Sequence, residues 1–344
     1  MTRKEKIVKP KSPTRRAIAL STGVMPALAA CASSPGASSP GASPPGAPTT
    51  GGSAPDESAG GSPGFERPAT PTPVVVRRIA QRQILLADSL THYRSPPEFQ
   101  SVCVGASFAG VATASYPLKQ GCLGWIAHAA GPGLDEAGIS GLVASERLGV
   151  PAAAVDTLEA GLSNGASVLA APLSHVNAPA RALGVERGMS GLDAATLMLE
   201  ASFTGPHDID DEFDTTITRV MGDQRAGIYM AWSIGLVEQR RPRDVFCVAS
   251  HGGAVMADYA LPVAPRGIIA NDAGLGLDRS GVRGVLTLDA HGIAAAAVGT
   301  DSARIGDPSS TYADGVLSVV NATARRKGVR KGMSAAQAAR LMLL

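Results

Sequence analysis

Aromatic residues make up only 4% of this chain, and its four cysteines, Cys31, Cys103, Cys122 and Cys247, show no CxxC or other metal-binding spacing. With few aromatics and no basic stripe in the folded part, a nucleic-acid surface is not expected. Without ligand spacing among the cysteines, or among His251 and the nearby aspartates, no metal and no cofactor is expected. Cys103 and Cys247 fall in apolar strand-like runs, where a buried thiol is the ordinary outcome. Long apolar runs are missing too. Ala17–Ala30 is uncharged for 14 residues, short of the roughly 20 that a membrane-spanning helix needs.

What is present begins with a basic N-terminus. Residues 1–16 carry Arg3, Lys4, Lys6, Lys9, Lys11, Arg15 and Arg16 against one acid, Glu5. A basic region, a short apolar stretch and small residues before a cleavage point make a secretory signal over residues 1–31. Leu28-Ala29-Ala30-Cys31 resembles the bacterial lipobox, whose cysteine is lipidated, and Thr14-Arg15-Arg16 loosely resembles a twin-arginine signal. That implies a cell-envelope lipoprotein with a membrane tether through Cys31. The alternative is a start codon set ahead of a cytoplasmic domain, and the three remaining cysteines, an odd number, suit a reducing compartment. Residues 32–73 are dominated by Ala, Ser, Pro, Gly and Thr without apolar periodicity, and read as a disordered linker.

From residue 74 onward the chain repeats itself. Residues 104–155 align on 247–298 without a gap, with 21 identities in 52 positions, and 174–199 align on 318–343 with 16 in 26. A fixed offset of this kind marks a duplicated structural unit. The copies span 74–202 and 217–344 and are joined by an acidic connector, 203–216. In each, short apolar strands (Ile84–Ala87, Val102–Ala106, Leu123–Ala127 and Val150–Val155; Ile228–Ala231, Val245–Ala249, Gly267–Ala270 and Ile293–Val298) alternate with helical stretches. This predicts an α/β fold: two homologous βαβ-type units with parallel sheets covered on both faces, related by a pseudo-two-fold axis. Ser190 and Ser334 open capping boxes of the closing helices.

Open α/β sheets bind ligands outside the carboxyl ends of their strands. In the second copy the polar residues collect there: Ser250-His251-Gly252-Gly253, Asn271-Asp272, and the loop carrying Asp301, Arg304 and Asp307. The first copy serves as a control, with Phe108 opposite His251, Ala129 opposite Asp272, and Leu158, Gly161 and Asn164 opposite the loop residues. Asp135 and Asp278, present in both copies, read as helix caps, and Ser250, matched by Ser107, as a turn residue. Positions polar only in the second copy are the functional candidates.

Each candidate has two readings. His251 is an acid/base or a turn cap, and Asp272 its partner or an Asx-turn residue. Gly252 and Gly253 offer N–H groups to an oxyanion or simply shape a turn. Arg304 anchors an anionic group or ties an internal ion-pair knot.

The run Ser-His-Gly, apolar strand, Asn-Asp-Ala-Gly over Val245–Gly274 resembles the core of caspase-like cysteine peptidases, with Asp272 or Ala273 standing where the nucleophilic cysteine is required. Without the thiol that chemistry does not operate. More broadly, the SHGG, NDAG and SARIGD elements resemble a duplicated bacterial α/β family of unknown activity. The expectation is an enzyme on a small polar or anionic substrate, a hydrolase or lyase with His251 and Asp272 as catalytic residues. Ser250, Gly252, Gly253, Asn271, Asp301, Arg304 and Asp307 would then contact the substrate. A non-catalytic solute-binding protein is the alternative, and the partner in either case is a small molecule. A homo-oligomer is left open.

Overall fold

A computed structural model of the chain describes residues 65–344. The signal-like segment, Cys31 and the linker up to residue 64 lie outside the described residues. The first repeat contributes β1 (Val74–Ile79), β2 (Arg82–Ala87), β3 (Gln100–Phe108), α1 (Val111–Lys119), β4 (Gly124–His128), α2 (Ser140–Arg147), β5 (Ala152–Val155), α3 (Gly165–Ala170), β6 (Leu173–Val176), α4 (Ala178–Ala182) and α5 (Gly191–Met198). The second follows the same order with β7 (Thr218–Gly222), β8 (Gly227–Ala231), β9 (Val245–His251), α6 (Ala254–Val263), β10 (Gly267–Asn271), α7 (Arg283–Thr287), β11 (Ala294–Val298), α8 (Pro308–Ala313), β12 (Leu317–Val320), α9 (Ala322–Arg326) and α10 (Ala335–Leu343).

Each repeat is one six-stranded sheet with its strands in sequential order. The four central strands are parallel, so the α/β expectation holds, but an antiparallel strand closes each edge. These edge strands escaped the sequence reading for physical reasons. All six residues of β1 are exposed, so it has no apolar alternation, and β6 is only four residues long with a polar middle.

Sequential order also settles which helices cover which face. Crossovers of one hand between neighbouring parallel strands stay on one side of the sheet. Accordingly α1 and α2 pack on Cys103, Trp125 and Ala154, while α3, α4 and α5 pack on Ile84, Val104, Ile126 and Val155 on the other side. Alternating residues of β2–β5 thus serve two cores, which is why their sequences are apolar throughout.

The acidic connector docks on the first repeat. Ile209 is buried with α1, Lys119 pairs with Asp208 and Asp210, and Arg147 pairs with Glu212.

The repeats meet carboxyl edge to carboxyl edge. Phe108, Ala130 and Leu162 of the first form a small core with Ala273 and Ile305 of the second. Backbone bonds cross in both directions, from Leu134 N–H to the Thr300 carbonyl (2.9 Å) and from Leu277 N–H to the Ala160 carbonyl (2.9 Å). The two donors are matching residues of the repeats, while their acceptors, Thr300 and Ala160, are not. The approach is close: a Cβ on Gly133 would lie 2.4 Å from the Thr300 hydroxyl.

Candidate functional site

The edge at which an open α/β sheet presents its ligand site is therefore the edge that joins the two repeats. His251, Asn271 and Asp272 consequently lie at the seam and are buried. Their side chains are occupied there in ways that the first repeat explains.

Asn271 ends β10. Its Oδ1 accepts the Ala273 N–H (2.9 Å) and its Nδ2 donates to the Ala303 carbonyl (3.1 Å). His128 ends β4 and does the same work with a ring: Nδ1 accepts the Ala130 N–H (3.0 Å), and Nε2 reaches the Ala160 carbonyl (3.0 Å). Asp272 Oδ1 accepts from Gly274 N–H (3.0 Å) and Thr300 N–H (2.9 Å). In the first repeat the Thr157 hydroxyl supplies the bond to Gly131 N–H (2.9 Å) instead. Relieved of that task, the Thr300 hydroxyl donates across the seam to the Ala130 carbonyl (3.3 Å). Asp307 caps α8 through Ser309 and Ser310 N–H, as Asn164 caps α3.

His251 is the last residue of β9, so Ser250 is a strand residue rather than a turn residue, as is Ser107 in β3. The His251 Nδ1 accepts the Gly253 N–H (3.1 Å). A neutral ring bonded in this way carries its proton on Nε2. Burial, then repulsion from His128, pushes the ring down to about 4, so at neutral pH it is an uncharged N–H donor and its Nδ1 lone pair is engaged. Among the described residues no hydrogen bond joins His251 to Asp272. Gly252 N–H donates to the Asn271 carbonyl (2.8 Å), so both glycine N–H groups are engaged inside the protein. The first repeat also reaches the turn that follows this ring. A Cβ on Gly253 would meet His251 Nδ1 at 2.8 Å and Ser163 Oγ at 3.0 Å. The Ser163 hydroxyl also accepts from Val255 N–H in the first turn of α6 (3.2 Å).

Asp135 and Asp278 are not helix caps. Both adopt left-handed backbone (φ 54° and 52°) and neither side chain caps a helix. Asp135 instead receives the Arg304 Nε–H across the seam at 2.7 Å, and Arg304 Nη1 lies 3.9 Å from both Asp307 and Asp314. The ion-pair knot is thus one of the two roles expected of Arg304, and the sequence did not indicate its cross-repeat partner.

Two clefts flank the seam at equivalent places. The larger, about 450 Å³, is lined by Phe108, Asp135, Asp214, Arg304 and Asp307, with Glu212 and Phe213 of the connector at its rim. The smaller, about 250 Å³, is lined by Asp88, Ser163, Asn164, Asp278, Ser280 and Arg283. Asp301 is exposed in the turn after β11 and lines neither. Sequence reading missed Ser163, Asp214, Glu212 and Arg283. Of these only Ser163 carries a local mark, a positive φ of 60°.

Among the described residues no three His, Cys, Asp or Glu side chains gather where they could hold a metal ion, and no helix is long and apolar enough to cross a membrane. No protein-family model, no curated protein and no solved structure matches this chain, so each repeat is the other's comparison.

Proposed function

We propose that this chain is a non-catalytic binding protein that holds a small amine-bearing or zwitterionic solute in the larger seam cleft. One observation carries the reading. Asp135, Glu212, Asp214 and Asp307 line that cleft with a single guanidinium, Arg304. Arg304 pairs with Asp135 and approaches Asp307, and Arg147 outside the cleft holds Glu212, so four carboxylates still face two guanidiniums and the local field favours a positively charged guest. Its volume lies in the range of small-molecule sites. Arg304 and Asp135 come from different repeats and are partly exposed, so a ligand's own carboxylate and ammonium can replace each in its pair.

The enzyme reading keeps one supporting observation: a neutral, buried His251 ring whose Nε2–H has no hydrogen-bond partner among the described residues. With its Nδ1 engaged by Gly253 and Asp272 held elsewhere, this favours polarising a substrate oxygen over proton abstraction.

Titration calorimetry against putrescine, glycine, acetate and phosphate separates these readings. The binding reading expects putrescine or glycine to bind and acetate and phosphate not to. Affinity should fall at least tenfold in Asp135→Asn/Asp214→Asn and weaken with added salt. His251→Ala should leave affinity within about twofold, no ligand being turned over. Failure of both amines to bind, or binding indifferent to the two aspartates, sinks it.

A further inference from the structure

We propose that the first repeat contains a second small-molecule site, for a small aromatic carboxylate, in a cavity of about 220 Å³ between the β1–β2 hairpin and the loop over residues 92–98. The duplication supplies the main observation. Strand register sets Leu85 beside Cys103 in the first sheet and Tyr229 beside Phe246 in the second, one residue after the matching pairs Ile84–Val102 and Ile228–Val245. In the second repeat the two rings stack with centroids 5.5 Å apart. The Arg241 guanidinium lies 4.5 Å from the Tyr229 ring and 5.7 Å from Phe246, and Asp244 holds it at 2.5 Å. In the first repeat Leu85 and Cys103 line an open cavity at that place, with Cys122 where the second repeat has Pro265. One fold, at one position, is filled in one copy by aromatic rings under a guanidinium and left open in the other.

A second observation is independent of volume. His92 borders this cavity and occupies the place of Leu236 in the second repeat. It is only 5% exposed, yet its Nδ1 has no hydrogen-bond partner. An orphaned buried nitrogen is destabilising, and leucine in the other copy shows that packing alone does not require a polar group here. The Tyr93 hydroxyl beside it is already engaged by the Leu85 and Val104 carbonyls.

The charge at the opening completes the class. Arg78 and Arg94 line it with one acid, Glu98. Arg78 is steadied by Gln83 Oε1 (3.1 Å) and by the Phe99 ring 4.1 Å away. Inside, burial keeps Cys103 and Cys122 as neutral thiols, the latter pushed up to about 12, so they act as apolar wall. A ring fits this interior, since an apolar cavity of about 150 Å³ accepts benzene. A carboxylate suits the two arginines, and a ring hydroxyl supplies a partner for His92.

The test is titration of the full chain with 4-hydroxybenzoate, with acetate as the size control. The proposal expects 4-hydroxybenzoate to bind and acetate not to. Cys103→Phe, which places the second repeat's own ring in the cavity, should weaken binding at least tenfold. His92→Leu should weaken it several-fold while leaving the cavity open, and Arg304→Ala, in the seam cleft, should leave it unchanged. No binding, equal binding of acetate, or undiminished binding to Cys103→Phe overturns the site. If Cys103→Phe does not fold, undiminished binding to His92→Leu does so, because leucine is already accommodated at that place in the second repeat.

Discussion

Acid should loosen this protein through two histidines at its seam. His128 and His251 are each pushed from an ordinary 6.5 down to about 4, chiefly by burial. The unfolded chain takes up these protons as pH falls through 6.5, while the folded chain resists until about 4. The unfolded state thus binds more protons in that window, and stability is complete above 6.5 and is lost as pH drops toward 4. At pH 5 the difference is about 2 kcal/mol for each ring, or ~4 kcal/mol for the pair. Urea unfolding followed by circular dichroism at pH 7 and pH 5 measures it. The control is His251→Asn, whose Oδ1 can accept the Gly253 N–H that Nδ1 accepts in the native chain. Other titrating groups, including His92 and His175, are common to both proteins and cancel in the comparison. The variant should therefore lose about 2 kcal/mol less than the native chain between the two pH values. Equal losses would refute the claim that His251 is held neutral by its burial.

Two further outcomes follow from the packing. Asn321 Oδ1 accepts from Ala324 and Ala295 N–H while its Nδ2 donates to the Ile293 carbonyl, so Asn321→Ala should cost roughly 2–4 kcal/mol in thermal or urea unfolding. A loss below about 1 kcal/mol would show that water replaces those bonds. A Cβ on Gly284 would sit 2.2 Å from the Gly253 carbonyl oxygen. Gly284→Ala should therefore cost about 1–3 kcal/mol, and an unchanged midpoint would mean that α7 shifts freely.

The fold was largely legible in the sequence because the duplication and the short apolar runs both survive in residue identities. Strands Val102–Ala106 and Gly267–Ala270 were placed within a few residues, extending in fact to Phe108 and Asn271. The site was less legible, for an instructive reason. Comparing the copies treated a polar residue present in only one of them as unnecessary for folding. Yet the copies satisfy the same backbone groups with different side chains. His128 does the work of Asn271, Thr157 part of that of Asp272, and Asn164 that of Asp307. Even the pair Asp88 and Gly165, joined by a 2.8 Å hydrogen bond, is replaced jointly by Trp232, which has no acceptor, and Pro308, which has no backbone N–H. Identity at single positions cannot reveal such exchanges, because what is retained is a satisfied hydrogen bond and not a residue.

Removing the exchanged positions leaves the differences that no shared bond explains: His251, whose ring takes the Gly253 N–H, against Phe108, which can take none, Arg304 against Gly161, and the aromatic pair Tyr229–Phe246 against Leu85–Cys103. Each lies beside a space that the other repeat treats differently. Pairing through the carboxyl edges consumes the place where a single α/β sheet would bind a ligand, and open clefts remain at the flanks of the seam and beside the first repeat's edge hairpin. Backbone complementarity constrains much of the seam in both copies, where Asn271 and Asp272 exchange with residues that keep its bonds, and His251 against Phe108 is the exception. At the flanks and the outer edge no such constraint acts, and there the copies diverge in volume and charge. The larger flank cleft gained Arg304 facing Asp135, and the first repeat kept an open cavity where the second is filled. A ligand of the kind we propose would bind at those places without breaking the seam, because neither cleft includes the backbone bonds that join the repeats.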